Sequence, residues 1–173
     1  MLINNPEDYK VGDIVLYDGN GPAFTILSSL LGHWDKQWKQ LKRKPWHTAF
    51  LTRQKNGVWF IGEAHGKNGV QEARLDSYKE KFLVFRWFDK DITQSDVEKF
   101  LDSNYGAKYD NFLGYLFTIL WFFVSWFPRI IDRKYMCWEF VYLFVDQFGK
   151  SFDSQYKYPL ITIMMDKLGY PDY

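Results

Sequence analysis

The stretch "HTAFLTRQKNGVWFIGEA", His47 to Ala64, decides the fold class of this chain. It holds two runs rich in aliphatic, aromatic and β-branched residues, HTAFLTR (47–53) and GVWFIGEA (57–64). The KNG sequence between them tolerates the positive φ of a tight turn, so the two runs read as a β-hairpin. Two further strand candidates follow, GVQEARL (69–75) and FLVFRWF (82–88). A fifth, DIVLY (13–17), comes earlier, behind the turn at Gly12. Past residue 88 the pattern takes a helical period. ITQSDVEKFLDSNYG (92–106) predicts a helix with Thr93 or Ser95 as N-cap and Gly106 beyond its end. A second helix begins near Cys137 and runs to Gly149; PLITIMMDKLG (159–169) makes a last one, with Pro159 in its first turn. AFTILSSLLG (23–32) reads as a short helix ahead of the hairpin. A run of strands followed by a run of helices argues an α+β fold. At 173 residues the chain is expected to form one domain, 1–173.

Composition narrows the function classes. A formal charge of +1 offers no global field for nucleic acid or an acidic partner. The single cysteine cannot form an internal disulfide, and no basic region followed by an apolar one opens the chain, so the default expectation is cytoplasmic. Aromatic residues reach 21%, more than a small core needs, and such excess area usually serves a groove, an interface or a membrane surface. Two segments hold much of it. HWDKQWKQLKRKPW (33–46) spaces Trp34, Trp38 and Leu41 helically among basic residues. It suits either a solvated helix whose tryptophans cap the core or a peripheral helix on an anionic membrane. The second is the aromatic-rich helical segment 111–131, in which Phe112 to Phe127 is sixteen residues without a charge. As a helix it spans about 24 Å at 1.5 Å per residue, short of the roughly 30 Å hydrocarbon core. It must then be buried in the domain, buried in a partner, or dipped into lipid.

Chemistry centres on Cys137, placed at the first turn of a predicted helix in RKYMCWEFVYLFVD (133–146). A buried packing cysteine and a nucleophile both fit that position. As a nucleophile it would have its thiolate stabilised by the unpaired N–H groups and dipole of the helix start. A base must come from His33, His47 or His65. His47 opens a strand, and the hairpin brings Glu63, near the end of the next strand, close to it, so an acidic partner for the imidazole is available. His65 is a weaker third member, since its Ala-His-Gly context looks like a turn. The histidines lack ligand spacing and only one cysteine exists, so neither a metal nor a cofactor is expected.

The order "GDIVLY … HTAFLT … IGEAHGKNGV … YGAKYDNFLGY … YMCWEFVY" resembles the permuted papain-like cysteine hydrolases. These are the circularly permuted branch of the NlpC-type cell-wall peptidase superfamily, distantly similar to lecithin–retinol acyltransferase. The matching pieces are Gly12-Asp13, the strand-heading His47, Glu63-Ala64 followed by Gly69-Val70, Tyr109-Asp110, and Cys137 with Glu139 and Val141. They span roughly Gly12 to Gly149. Trp138 stands where the family has a small residue, and Thr48-Ala49 where it has Val-Gly. The resemblance implies a small antiparallel barrel-like sheet packed against the nucleophile helix and further helices. It implies a triad of Cys137 as nucleophile, His47 as base and then acid, and Glu63 orienting His47. Asp13, Asp110 and Glu139 are expected to be structural, whereas Trp138, Tyr17 and Tyr135 are expected to contact substrate. The substrate is either a peptide or isopeptide amide or an acyl lipid, with peripheral membrane contact favouring the second. A lipid acyltransferase or esterase, and a non-catalytic membrane-associated binding module with Trp138 in the groove, are the competing readings.

Overall fold

The computed structural model describes residues 2–18, 45–79, 81–88, 90–109, 135 and 137–149, with the side chains of Asp18, Pro45, Trp46, Trp138 and Glu139 outside the description. Four predicted segments lie outside the described residues: the 23–32 helix, most of 33–46 with His33, the 111–131 segment, and the 159–169 helix. Asp110 does too. The described residues form an α+β structure of one six-stranded antiparallel sheet and two helices. The strands are β1 (Leu2–Ile3), β2 (Ile14–Asp18), β3 (Pro45–Lys55), β4 (Val58–His65), β5 (Gly69–Arg74) and β6 (Phe82–Phe85), in the spatial order β1-β6-β2-β3-β4-β5. The helices are α1 (Gln94–Asn104) and α2 (Cys137–Phe148).

The central hairpin forms because Asn56 and Gly57 both take positive φ, 53° and 77°, with Lys55 paired to Val58 across them. Two left-handed residues in a two-residue loop match the twist of the strands, and Asn-Gly accepts that conformation at little cost. β3 starts earlier and ends later than 47–53. β6 stops at Phe85 rather than continuing to residue 88. There Arg86 turns away to grip the buried Asp13 carboxylate through Nε at 3.0 Å and Nη2 at 2.9 Å. The Lys10 N–H also donates to Asp13, at 2.8 Å, so this aspartate holds the start of β2 to the end of β6. β1 pairs with β6 through only two residues, too few to show a period in the sequence.

Strand alternation sorts the sheet into two faces. Ile14, Leu16, Phe50, Ala64 and Phe85 point to the helices. Val15, Tyr17, Ala49, Leu51, Ile61 and Val84 share the other face with Leu75. α1 begins at a capping box: Thr93 Oγ1 accepts the Asp96 N–H while the Asp96 carboxylate accepts the Thr93 N–H, each at 3.2 Å. Thr93 rather than Ser95 is therefore the N-cap. Val97, Phe100 and Leu101 from α1 and Phe140, Val141, Phe144 and Val145 from α2 are buried at helical spacing. Phe50 of β3 stacks on Phe144, ring centroids 3.9 Å apart and planes within 5°, and this pair seats α2 on the sheet. Phe50 lies opposite Gly62 in the β3–β4 register. A Cβ at Gly62 would stand 2.6 Å from that ring and 2.9 Å from Leu101, so only glycine leaves room for the stack. Gly69 is constrained by backbone instead. Its φ is +73°, and a Cβ would fall 2.2 Å from the Ala107 carbonyl, which also accepts the Val70 N–H at 2.8 Å.

Among the described residues no helix is long and apolar enough to cross a membrane.

Candidate active site

Tyr17 of β2 is the register partner of His47 of β3, so the two side chains share one face of the sheet. Glu63 follows Ile61 by two residues on β4 and shares that face by alternation. The two meet: His47 Nε2 and Glu63 Oε2 are 2.6 Å apart, with both side chains buried. Cys137 is the first residue of α2, is buried, and is hydrogen-bonded to His47. Glu63 engages Nε2, which leaves Nδ1 as the ring nitrogen not held by the carboxylate. The structure thus brings together a thiol, an imidazole and a carboxylate, with the imidazole between the other two.

Two tyrosine rings, themselves in contact with each other, border the imidazole. Tyr17 lies 5.7 Å from it and Tyr78 5.4 Å, centroid to centroid. Glu63 has three donors. Besides His47, Gln71 Nε2 donates to Oε1 at 2.7 Å, and the Tyr78 hydroxyl lies 2.9 Å from Oε1 and 2.7 Å from Oε2. Gln71 is the β5 partner of Glu63 in the register, and its amide is oriented from behind by Asn68 Nδ2, which donates to Gln71 Oε1 at 2.8 Å. The sequence reading missed both Gln71 and Tyr78. Gln71 could have been found by carrying the antiparallel register across the turn before Gly69. Tyr78 had no such signal, because it lies beyond a 3-10 turn, Leu75–Ser77, whose path the sequence does not specify.

Two of the other expected site residues, Tyr17 and Tyr135, make hydrogen bonds within the fold. Tyr17 is fully buried and donates its hydroxyl to the Leu75 carbonyl at 3.1 Å, so it serves as wall and anchor around the imidazole. Tyr135 donates to Asn104 Oδ1 at 3.0 Å and packs its ring 5.8 Å from Phe140. The side chain of Trp138 lies outside the described residues. His65 ends β4 and accepts the Lys67 N–H at 3.4 Å in a local turn. Among the described residues no group of three His, Cys, Asp or Glu side chains could hold a metal ion. An open cleft of about 650 Å³ lined by Asn4, Asn5, Tyr9, Lys10 and Arg86 shares no residue with the triad. Both of its cations are already paired, Lys10 with Asp91 and Arg86 with Asp13.

Burial alone would discharge His47. Its hydrogen bonds to Cys137 and Glu63, and the negative charge both can carry, outweigh that cost and raise its pKa to about 9. Burial would likewise protonate Glu63, but its bonds to His47, Gln71 and Tyr78 hold it below the ordinary carboxylate range. For Tyr78, burial and the adjacent Glu63 charge push the phenol far above its usual value, so it stays a donor.

A pH window for stability follows from these directions. The His47 contribution is full below its unfolded value of about 6.5 and is lost as pH rises through about 9. Glu63, depressed when folded, contributes fully above its unfolded value of about 4.3 and loses that contribution as pH falls. Equilibrium denaturation should therefore show greatest stability between about pH 5 and 6.5. His47→Gln should flatten the decline on the alkaline side. An alkaline limb equally steep in that variant would show that another group controls it.

No protein-family model matches this chain, and no curated protein matches it either.

Proposed function

We propose that this protein is a cysteine hydrolase of the permuted papain-like type, cleaving an amide or acyl-lipid bond through Cys137, His47 and Glu63. The observation that carries the reading is the buried line from Glu63 through His47 to Cys137, with the thiol at the first residue of a helix. An imidazole held charged beside the sulphur favours a thiolate, which is the nucleophile. The thiolate attacks the carbonyl carbon, and the tetrahedral intermediate collapses as His47 Nδ1–H gives its proton to the leaving nitrogen or oxygen. A thioester on Cys137 results. Water then attacks the thioester carbonyl, His47 accepts its proton, and the acid departs with the thiolate restored. Glu63 holds the ring so that Nδ1 faces the sulphur throughout.

Two measurements test this together. Incubation with an activated ester should leave one acyl group on the peptide containing Cys137, detected by mass. Iodoacetamide should alkylate Cys137 readily already at about pH 6. A rate that rises only around the free-thiol value of about 8.5, with no acyl adduct, would overturn the proposal. A panel of peptide amides and acyl lipids then divides the substrate classes.

A further inference from the structure

We propose that Tyr78 is a positioning residue of this site: its hydroxyl ties Glu63 in place while its ring confines the imidazole of His47. The inference rests on the cysteine hydrolase reading, and it assigns a role that the triad alone does not contain. Glu63 is fully buried at a strand position, so its carboxylate must satisfy its lone pairs within the protein. His47 uses one oxygen, Gln71 the other, and the Tyr78 hydroxyl lies within 2.9 Å of both. Without Tyr78 the carboxylate could swing about its last bond, carrying Nε2 of His47 and hence the direction of Nδ1 with it.

The support for Tyr78 is itself built in. Tyr17 donates to the Leu75 carbonyl and thereby pins the turn that leads into Tyr78. The Tyr17 and Tyr78 rings also touch, with centroids 4.7 Å apart. β2, through Tyr17, thus sets the turn; the turn sets Tyr78; and Tyr78 sets the acid of the triad. The titratable groups around Glu63 and Tyr78 are His47, Tyr17, Cys137 and His65, the last with its ring 6.4 Å from that of Tyr78. Among them His47 bonds Glu63 directly, and Tyr78 remains protonated across the working range, so its hydroxyl donates at every pH of interest.

Tyr78→Phe removes the hydroxyl and keeps the ring. A donor lost from the charged form of a carboxylate raises its pKa, so the carboxyl-carbon NMR titration of Glu63 should move to higher pH. The rate of Cys137 acylation by an activated ester should fall on the order of tenfold, with the half-saturating ester concentration unchanged. Tyr78→Met also removes the hydroxyl but fills the site with a flexible side chain; it should shift Glu63 in the same direction, which keeps the test open if Tyr78→Phe folds poorly. A Glu63 midpoint at its wild-type value in these variants overturns the proposal, whatever happens to the rate. If wild type forms no acyl adduct yet the midpoint moves in Tyr78→Phe, the tie to Glu63 stands and the hydrolase reading fails.

Discussion

Replacing His47 with glutamine should lower the rate at which an activated ester acylates Cys137 by about a thousandfold or more. The glutamine amide can still donate to Glu63, so the buried carboxylate keeps three donors and the domain should stay folded. What is lost is the imidazole that shares a proton with the sulphur. His47→Ala should be as inactive and also less stable, because it leaves the buried Glu63 charge short of a partner. Glu63→Gln should cost less activity than either, since an amide there can still orient the imidazole in part. His65→Ala should be silent, as His65 bonds a loop N–H and not the triad. Stopped-flow acylation with mass detection of the adduct checks all four variants. A His65→Ala loss with Glu63→Gln at full rate would reverse the assignment of the third member.

Phe144→Ala should destabilise the protein by about 3–5 kcal/mol, the cost of emptying a close-packed aromatic site. Phe144 is fully buried and stacks on Phe50 at 3.9 Å. It also meets the rings of Phe88 at 5.7 Å, Phe100 at 5.3 Å and Phe148 at 5.1 Å. The rings around the cavity belong to β3, α1, α2 and the connection after β6, so collapse to fill it would require whole elements to move. Because Phe144 seats the helix that carries Cys137, the same substitution should loosen the thiol from His47. Urea denaturation measures the first effect, and the pH profile of alkylation the second. A loss below about 1 kcal/mol would show that α2 is anchored by other contacts.

The two effects have different origins, and they mark how far a sequence can be read. The hairpin was legible because its signals are local: Asn56-Gly57 accepts positive φ, and the flanking runs are strand-forming. The same locality made the His47–Glu63 pairing legible, since a tight turn brings the two strand segments together. The N-cap of α1 was narrowed to two residues, and the choice of Thr93 needed the Asp96 carboxylate to close the box. The end of β6 at Phe85 was not legible, because Arg86 leaves the sheet for an aspartate far away in the sequence.

Local patterning by itself therefore determined the α+β class, most strand positions and the His47–Glu63 contact across one hairpin. Hydrophobic period and turn chemistry act over a few residues and leave their mark in the order of the chain. Only the tertiary structure decided that Cys137 meets the imidazole, because that contact depends on α2 docking through Phe140 and Phe144 onto a strand distant in sequence. It alone decided that Glu63 is also held by Gln71 and Tyr78, and that Tyr17 buttresses the site from β2. Those choices rest on register across three strands and on the path of one short turn. Such long-range contacts are selected by close packing and by the need to satisfy a buried carboxylate, and no local run of residues encodes them.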